Sequence, residues 1–512
     1  MAVLLLLALA AWDPSAARAQ SVLPGGQRPE SPERASAAGQ GSPFSTGDLV
    51  TALDAAGLER ALLGSVPSGE ATPGSLPLSL RAAVDRALRL NLGVLLRADL
   101  EQAARGRMIE ARADLLPQLT AEVADRRLEF NFDASAFRSF GGDGRDPVVD
   151  YEIFDARLFL RAPLYDAVAR WDARAAAERY AAAAVAAGEI RAAAVLFVAN
   201  LYLQVSAQAV RVEAVEAQVE TAQSLAGLAR DSVAAGLAPA IDALRAEVRL
   251  RGEQQRLVAE RNELAKSKLR LGRTIGLPPA QELHLTERLV YVPLPELDSQ
   301  ELVAEGLRAR LDLRALEARR RAALAERRAA RGSRHPVLDL QADVGELGPA
   351  ADETRTTMGA AARLRIPLFD GRRSKGELLE ADAELRSVEA TLSSLRDEVV
   401  VGIESALLDA AAAELEVELA ASSVELAGRQ LEQARNRFEA GVGAHLEVVE
   451  AQETVARAAE LEIAALLSHR LAKGALARAI GMDEHSILEV LANEVEPLVA
   501  PSRPAPGAGG SE

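Results

Sequence analysis

The feature that most constrains this chain is an internal duplication. Residues 434–452 read A-R-N-R-F-E-A-G-V-G-A-H-L-E-V-V-E-A-Q, and residues 229–247 read A-R-D-S-V-A-A-G-L-A-P-A-I-D-A-L-R-A-E. Both segments are helical runs that break at glycine or proline and then restart. The break lies at Gly441 and Gly443 in one segment, and at Gly236 and Pro239 in the other. Two copies of one pattern predict two similar halves in the fold.

Each copy is predicted to contain the same elements in the same order. A helix with leucines at helical spacing begins near Leu80 in the first copy and near Glu301 in the second, and ends near Pro117 and Pro336. Two segments of alternating apolar and polar residues follow, which predicts a strand hairpin. A long helix, a tip and a returning helix complete each copy. The order helix, strand, strand, long helix, returning helix therefore occurs twice.

The long helix carries a heptad repeat. In the second copy it fills the seventy residues from Gly371 to Gly441, which would reach about 100 Å at 1.5 Å per residue. Apolar residues recur at every seventh position: Ile403, Ala410, Val417, Val424, Leu431 and Phe438. The first copy repeats this from Val198 to Val233. A seven-residue repeat predicts coiled-coil packing, so the fold class is mainly α with a small β part.

The N-terminus predicts export. An apolar core from Val3 to Ala11 precedes the cleavage motif Ala17-Arg18-Ala19, as in a secretory signal peptide. Beyond it, no charge-free apolar run approaches the roughly 20 residues of a spanning helix, so any membrane segment would have to be a strand. Strands of about ten residues with one apolar and one polar face are typical of transmembrane barrels. A soluble sheet with one buried face is the alternative.

Composition disfavours several functions. The net charge of -16 argues against a nucleic-acid partner, which needs a basic surface. Without cysteine the chain has no disulfide, thiolate nucleophile or cysteine metal site, and its five histidines lack ligand spacing. No catalytic triad or phosphate loop is present, so we predict neither catalysis nor a cofactor. An enzyme using Asp242, Glu447 and Glu450 as acid and base would lack a cleft-forming domain.

We predict the following division of the chain. Residues 1–19 are a signal peptide, residues 20–76 a flexible N-terminal extension, residues 77–294 the first repeat, residues 295–490 the second repeat, and residues 491–512 a disordered tail. The strand hairpins are expected at about residues 119–162 and 337–366. The helical hairpins are expected at about residues 163–276 and 367–481.

This arrangement resembles the outer-membrane efflux protein family, the TolC-like outer-membrane factors. The motifs that carry the resemblance are L-R-A-A-V-D-R-A-L from Leu80, L-P-Q-L from Leu116, P-L-F-D-G from Pro367 and R-F-E-A-G from Arg437, and it covers residues 77 to about 490. It implies a homotrimer with four strands per protomer, in which a twelve-stranded outer-membrane β-barrel continues as a periplasmic α-helical barrel. It also implies a passive exit duct in contact with outer-membrane lipid, which receives substrates from an inner-membrane pump through a periplasmic adaptor protein.

The resemblance implies a pore constriction at the tip. Family members place carboxylates six and nine residues after the tip glycine of the second copy, and these positions are Glu447 and Glu450 here. The carboxylate six residues after the first tip glycine is Asp242. Under threefold symmetry each would form a ring of three negative charges that attracts cations. The alternative is that these acids belong to a solvated helix face.

The resemblance also implies a docking surface for the adaptor at the same tip. Its residues would be Gly236, Leu237, Phe438, Gly441 and Val442. Two positions differ from TolC, the best-known member. Gly443 replaces an arginine that helps to latch the closed entrance, and Phe438 replaces a tyrosine. The usual latch is therefore not expected in this chain.

A periplasmic coiled-coil adaptor or scaffold is the competing function. Its heptads would bind partner helices, and its alternating segments would form a soluble sheet. Such an adaptor is expected to carry one coiled-coil hairpin flanked by β-rich modules. This chain has two helical hairpins, each preceded by a strand pair, which favours the outer-membrane channel.

Overall fold

The computed structural model describes residues 60–131, 148–236, 239–287, 290–440, 442–443 and 445–491. The predicted signal peptide lies outside these residues, as do residues 20–59 of the predicted extension and residues 492–512. Leu237 and Gly441 of the predicted docking surface also lie outside them.

Both copies contain the predicted helices and strands. The first comprises β1 (Leu76–Leu78), α1 (Leu80–Leu90), α2 (Leu92–Ala113), β2 (Gln118–Asn131), β3 (Val148–Tyr165), α3 (Ala167–Ala234), α4 (Ala240–Thr274) and β4 (Leu283–Leu285). The second comprises α5 (Ser299–Ala309), α6 (Leu311–Gly332), β5 (Val337–Gly348), β6 (Arg355–Arg365), α7 (Arg373–Glu439), α8 (His445–Ala479) and α9 (Glu484–Leu491). The duplication shows in the bounds, since α1 and α2 have the same lengths as α5 and α6.

The first helix of each copy is broken, so the prediction of one continuous helix is wrong. Asn91 separates α1 from α2 with an extended backbone (φ -67°, ψ 131°), and its side-chain oxygen accepts from the N–H of Gly93 at 3.0 Å. Its amide nitrogen donates to the carbonyl of Leu62 at 2.6 Å. Arg310 has the same conformation between α5 and α6. Capping by Asn91 offsets the lost helical hydrogen bonds.

The part of the predicted extension that is described packs on this break. Leu62 is buried with Val94 and Ala194, and the N–H of Val66 donates to the carbonyl of Leu90 at 2.9 Å. Further on, β1 pairs in parallel with β4, which no local pattern in the sequence had indicated.

The two hairpins form one antiparallel sheet in the order β2-β3-β5-β6. Inside the sheet, β3 of the first copy pairs with β5 of the second, for example Phe159 with Asp343. The strands β2 and β6 lie at the two edges. The two copies are therefore joined side by side, and each leaves one edge strand without an outer partner among the described residues.

The long helices have the predicted seam. Ile403, Ala410 and Val417 of α7 are buried, as are Val198, Val205 and Val212 of α3. Between them in the heptad, Ala406, Ala413 and Ala420 are also buried. Small residues at these positions let the helices approach closely, as in a coiled coil.

The expectation that no apolar run after the signal peptide approaches the length of a spanning helix is wrong. Among the described residues one helix, α3, contains an 18-residue window that is long and apolar enough to cross a membrane, with mean hydropathy 1.8. The length and composition of the window alone give this result. In the structure 44% of the window is buried. Val195, Val198 and Tyr202 of α3 belong to the main hydrophobic core, where the Tyr202 hydroxyl donates to the carbonyl of Leu78 at 3.0 Å. The apolar character of α3 is explained by this packing.

Candidate functional site at the helical tip

Each copy reverses direction between its long helix and its returning helix. In the first copy the turn follows Ala235, and Gly236 adopts φ +70°, a conformation that glycine reaches without strain. Pro239 then precedes α4 at a position where its missing N–H costs no helical hydrogen bond. Proline and glycine thus fix the turn that presents the first turn of α4.

In the second copy the turn folds back on the end of α7. The N–H groups of Val442 and Gly443 both donate to the carbonyl of Arg437, at 3.1 and 3.0 Å. A Cβ at Gly443 would lie 2.9 Å from the Arg437 Cβ and 3.0 Å from the Phe438 nitrogen. Glycine is therefore required by this close approach. A larger side chain at position 443 would force the turn to move.

The predicted constriction residues lie at the starts of the two returning helices. Asp242 and Glu447 occupy the first turns of α4 and α8, where a negative charge is stabilised by the helix dipole. Glu450 follows Glu447 by one turn, and both are exposed. Val448, between them, is fully buried. The two glutamates therefore share the exposed face of α8 while Val448 anchors the helix.

The structure brings Asp242 to the level of Glu447. Two ion pairs join α4 to α8, Arg249 with Glu453 at 2.7 Å and Arg256 with Glu460 seven residues further on, so the two helices run in the same direction. Asp242 lies seven residues before Arg249, and Glu447 lies six residues before Glu453. All three predicted carboxylates thus occupy the same end of this helix pair.

Ion pairs hold two of these carboxylates. The Arg437 Nε lies 3.4 Å from an oxygen of Glu447, and the Arg245 Nη1 lies 3.6 Å from an oxygen of Asp242. Glu450 has no ion pair among the described residues. Sequence reasoning missed Arg437, because its approach to Glu447 depends on the geometry of the turn between them.

A groove of about 360 Å³ runs beside the second turn. Leu225 and Leu228 of α3 line one side, and Phe438 and Val448 line the other. Phe438 packs on the buried cluster of Ala434, Val448 and Ala451 rather than pointing into solvent. Val442 is 72% exposed. Of the predicted docking residues, Val442 is thus open at the tip and Phe438 forms the wall of a groove.

The chemistry available at this tip is electrostatic. Within the described ranges, no group of three or more histidine or acidic side chains could hold a metal ion. The site offers carboxylates at helix N-termini and, beside them, a groove lined by both apolar and polar side chains. Such a site can attract cations and dock a helical partner.

Known proteins share both the sequence pattern and the fold. The sequence profile described as outer membrane efflux protein matches residues 85–277 and 302–482. The pyoverdine export outer membrane protein OpmQ of Pseudomonas aeruginosa is 26% identical over 392 residues, which cover 74% of this chain and 80% of OpmQ.

Solved structures agree on the fold. The outer membrane channel CmeC of Campylobacter jejuni matches with a TM-score of 0.69 at 16% identity, over 85% of this chain and 96% of CmeC. The outer membrane protein VceC of Vibrio cholerae matches with a TM-score of 0.66 at 19% identity, over 79% of this chain and 96% of VceC.

The duplicated fold, with its strand hairpins and long helix pairs, is the fold of these solved outer-membrane proteins. The chain belongs to the outer membrane efflux protein family. Its function is that of the outer-membrane channel in an efflux system, with the helical part in the periplasm. The competing adaptor function is not supported by these comparisons.

Proposed function

We propose that three copies of this chain form a ring that acts as a passive exit duct. The observation that carries this proposal is the open sheet, whose edge strands β2 and β6 have no outer partner in the described part of the chain. Unpaired edges favour pairing with another chain, and four strands are too few to enclose a water-filled interior. Three copies would contribute twelve strands to one closed barrel.

Exposed apolar residues on the sheet support a membrane location for the strands. Leu119, Val123 and Leu364 are 68, 58 and 59% exposed, and Met358 is 87% exposed. Water would make such exposure unfavourable by about 25 cal/mol per Å². A barrel exterior in lipid would accept these side chains.

Exposed apolar residues on α7 support a neighbouring copy at the helical level. Val401, Leu408 and Leu415 recur at seven-residue spacing and are 66, 72 and 60% exposed. Leu203, which is the equivalent of Leu408 in the first copy, is buried. A heptad stripe of this kind is expected to pack against a partner helix. In the proposed ring the long helices would form a helical barrel in the periplasm.

In this proposal the chain works with two further proteins. An adaptor would dock at the tip through Gly236, Leu237, Phe438, Gly441 and Val442, and an inner-membrane pump would deliver the substrate. Because a duct does not select its cargo, substrate choice would lie with the pump. OpmQ is named for pyoverdine export, and pyoverdine is one cargo to assay here.

The proposed division of the chain follows the two repeats. Residues 1–19 would be removed at export, and residues 77–294 and 295–490 would form the repeats. Residues 20–76 and 491–512 would flank them.

The oligomeric state tests the ring. Mature chain purified in detergent should give the mass of three copies by light scattering, because the sheet edges and the α7 stripe would be covered only in a ring. A chain that stayed monomeric and soluble without detergent would overturn the proposal.

We also propose that Asp242, Glu447 and Glu450 form rings of carboxylates at the duct entrance. Replacing Glu447 and Glu450 by alanine should lower cation selectivity, measured as the reversal potential in a salt gradient across a planar bilayer. Because Arg437 lies 3.4 Å from Glu447, Glu450→Ala alone should change the potential more than Glu447→Ala alone.

A matched control removes the same charge elsewhere. Glu301 and Glu305 are exposed near the start of α5, so replacing both by alanine should leave the reversal potential unchanged. Trimers of all variants should still assemble. If the tip variant had wild-type selectivity, its glutamates would belong to a solvated helix face.

A further inference from the structure

The first copy contacts the second copy along one side within the chain. Because the two copies are alike, the second copy has an equivalent surface that is not covered in this way by the described residues. Within the chain, β3 and α3 of the first copy pack against β5 and α6 of the second, and we call this contact the inner seam. The equivalent strands β6 and β2 lie at opposite edges of the sheet. In the described part of the chain neither these strands nor the equivalent helices α7 and α2 make that contact with each other. We call their meeting between successive chains the outer seam.

We propose that the outer seam repeats the register of the inner seam residue by residue. The proposal rests on the ring proposed above and specifies which residues of a second copy of this chain meet which residues of the first. Because of the duplication, each residue of the inner seam has a twin, which is the residue at the equivalent position of the other copy. The twins of two residues that touch in the inner seam should touch in the outer seam.

The twins follow from the element bounds. Helices α2 and α6 begin at Leu92 and Leu311, and strands β2 and β5 begin at Gln118 and Val337, so these elements are 219 residues apart. The proline motifs contain Pro163 at the end of β3 and Pro367 just after β6, and these two prolines are 204 residues apart.

The long helices are offset by one residue more. Asp166 accepts from the N–H of Ala169, three residues on, whereas Asp370 accepts from the N–H of Ser374, four residues on. The extra residue lies in the turn before α7. Twins in α3 and α7 are therefore 205 residues apart, and so are twins in α4 and α8.

Between the strands, the outer seam would form an ion pair. In the inner seam Arg161 faces Gln341. Their twins are Arg365 of β6 and Glu122 of β2, which are exposed and have no ion pair in the described chain. The outer seam would place these opposite charges directly across from each other, an arrangement that stabilises neighbouring strands.

The next pair along the strands is apolar. In the inner seam Leu160 faces Ala342. Their twins are Leu364 and Val123, both more than half exposed in one chain. The outer seam would pair them on one face of the sheet.

The loops below the strands also fit. In the inner seam the Tyr165 hydroxyl lies 3.3 Å from the His335 Nδ1. Their twins are Phe369, 89% exposed, and Leu116, 59% exposed. Both polar groups are replaced together, so an aromatic side chain would meet a leucine.

The most specific pair lies between the helices, because its two positions carry opposite charges in the two copies. In the inner seam Arg179 of α3 binds Glu326 of α6 at 2.6 Å. Their twins are Glu384 of α7 and Arg107 of α2, both exposed and without an ion pair in the described chain. The outer seam would join them as an ion pair of reversed polarity.

All four twin pairs are complementary, and each involves residues that one chain leaves uncovered.

Engineered cysteines test the register, because the chain has no cysteine of its own. Leu364→Cys combined with Val123→Cys would place two Cα atoms about 5 Å apart across the ladder. Oxidation should therefore give covalent dimers and trimers in non-reducing electrophoresis. The matched control, Leu364→Cys with Ala121→Cys, shifts the pair by two residues to about 7–8 Å, at the limit for a disulfide. It should cross-link at least tenfold more slowly.

The outcomes separate the register from the ring. If the shifted pair cross-linked faster while light scattering still showed three copies, the register would be wrong and the ring would stand. If neither pair cross-linked and the protein was monomeric, both proposals would fail.

A charge exchange tests the helices independently. Glu384→Arg should reduce the yield of trimers, and adding Arg107→Glu should restore it. Failure of the second substitution to restore trimers would count against the proposed helix pairing.

Discussion

The two copies also differ by a size exchange in the core, and this gives a sharp prediction. Gly306 of α5 packs on Ile403 of α7 so closely that a Cβ at position 306 would lie 2.4 Å from the Ile403 Cδ1. The next atoms, from Ala479 and Ile480, are 3.6 Å away. One terminal methyl group therefore blocks a larger residue at position 306.

The first copy shows the complementary arrangement. The twins of Gly306 and Ile403 are Ala87 and Val198, which are 1 and 0% exposed. Alanine and valine together have the same number of side-chain carbons as glycine and isoleucine. Gly306→Ala with Ile403→Val should therefore repack the second copy in the manner of the first.

The magnitudes distinguish the variants. Gly306→Ala alone should lower the free energy of unfolding by about 1–3 kcal/mol through overpacking, and raise it by about 1 kcal/mol through the higher helix propensity of alanine. Ile403→Val alone should cost about 0.5–1.5 kcal/mol from the lost methyl group. The double variant should be at least as stable as the wild type, because valine lacks the blocking methyl group. The coupling between the two sites should exceed about 1 kcal/mol.

Hydrogen exchange measured on peptides from Ser299–Ala309 is a suitable assay, because it reports local opening. Each 1.4 kcal/mol changes exchange through such opening about tenfold. The single variants should exchange faster and the double variant at the wild-type rate or slower. If the effects of the two substitutions simply added, the packing argument would be refuted.

Two further predictions concern buried polar groups. Asn91→Ala removes the cap of α2 and the hydrogen bond to Leu62, so residues 60–68 should lose protection worth about 1–3 kcal/mol in hydrogen exchange; unchanged protection would show that the break does not depend on this side chain. His469 is fully buried, and desolvation, with the nearby Lys473 and Arg470, lowers its pKa. As the pH falls, His469 is therefore protonated in the unfolded chain before it is protonated in the folded chain. Its neutral form contributes fully to the free energy of unfolding above about pH 6.5, and this contribution is lost as the pH drops below that value. His469→Phe should make the melting temperature less sensitive to acidification than in the wild type, and equal sensitivity would contradict the assignment.

Much of the fold could be predicted because it is encoded by periodic patterns. The heptad around Ile403 and the alternation around Leu340 are repeated over many residues, and the duplication allowed each to be compared with a second copy. The strand pairs and the long helices follow from such patterns.

The features that were missed depend on contacts between distant residues. The apolar stripe continues through Leu88 and Leu92, so it gives no sign that Asn91 breaks the helix between them. Arg310 is an ordinary helix former, and its extended backbone accompanies an ion pair with Asp312 and a bond to the Ala479 carbonyl. The pairing of β1 with β4 joins three-residue strands, which are too short for periodicity to detect.

The sequence predicted residues for the candidate site but not their contacts, and the role of these residues as a pore constriction stays a prediction. The positions of Glu447 and Glu450 on an exposed face follow from their spacing. The pairing of Glu447 with Arg437 and the tight packing at Gly443 follow from a turn whose geometry the sequence does not specify.

Single-channel recording tests most directly whether this chain forms a channel across the outer membrane. Mature wild-type protein, purified in detergent and added to a planar lipid bilayer, should give stepwise increases in current of uniform size and a reversal potential that indicates cation preference. Protein that is folded by circular dichroism and inserted in the bilayer, yet produces no current steps, would contradict the account.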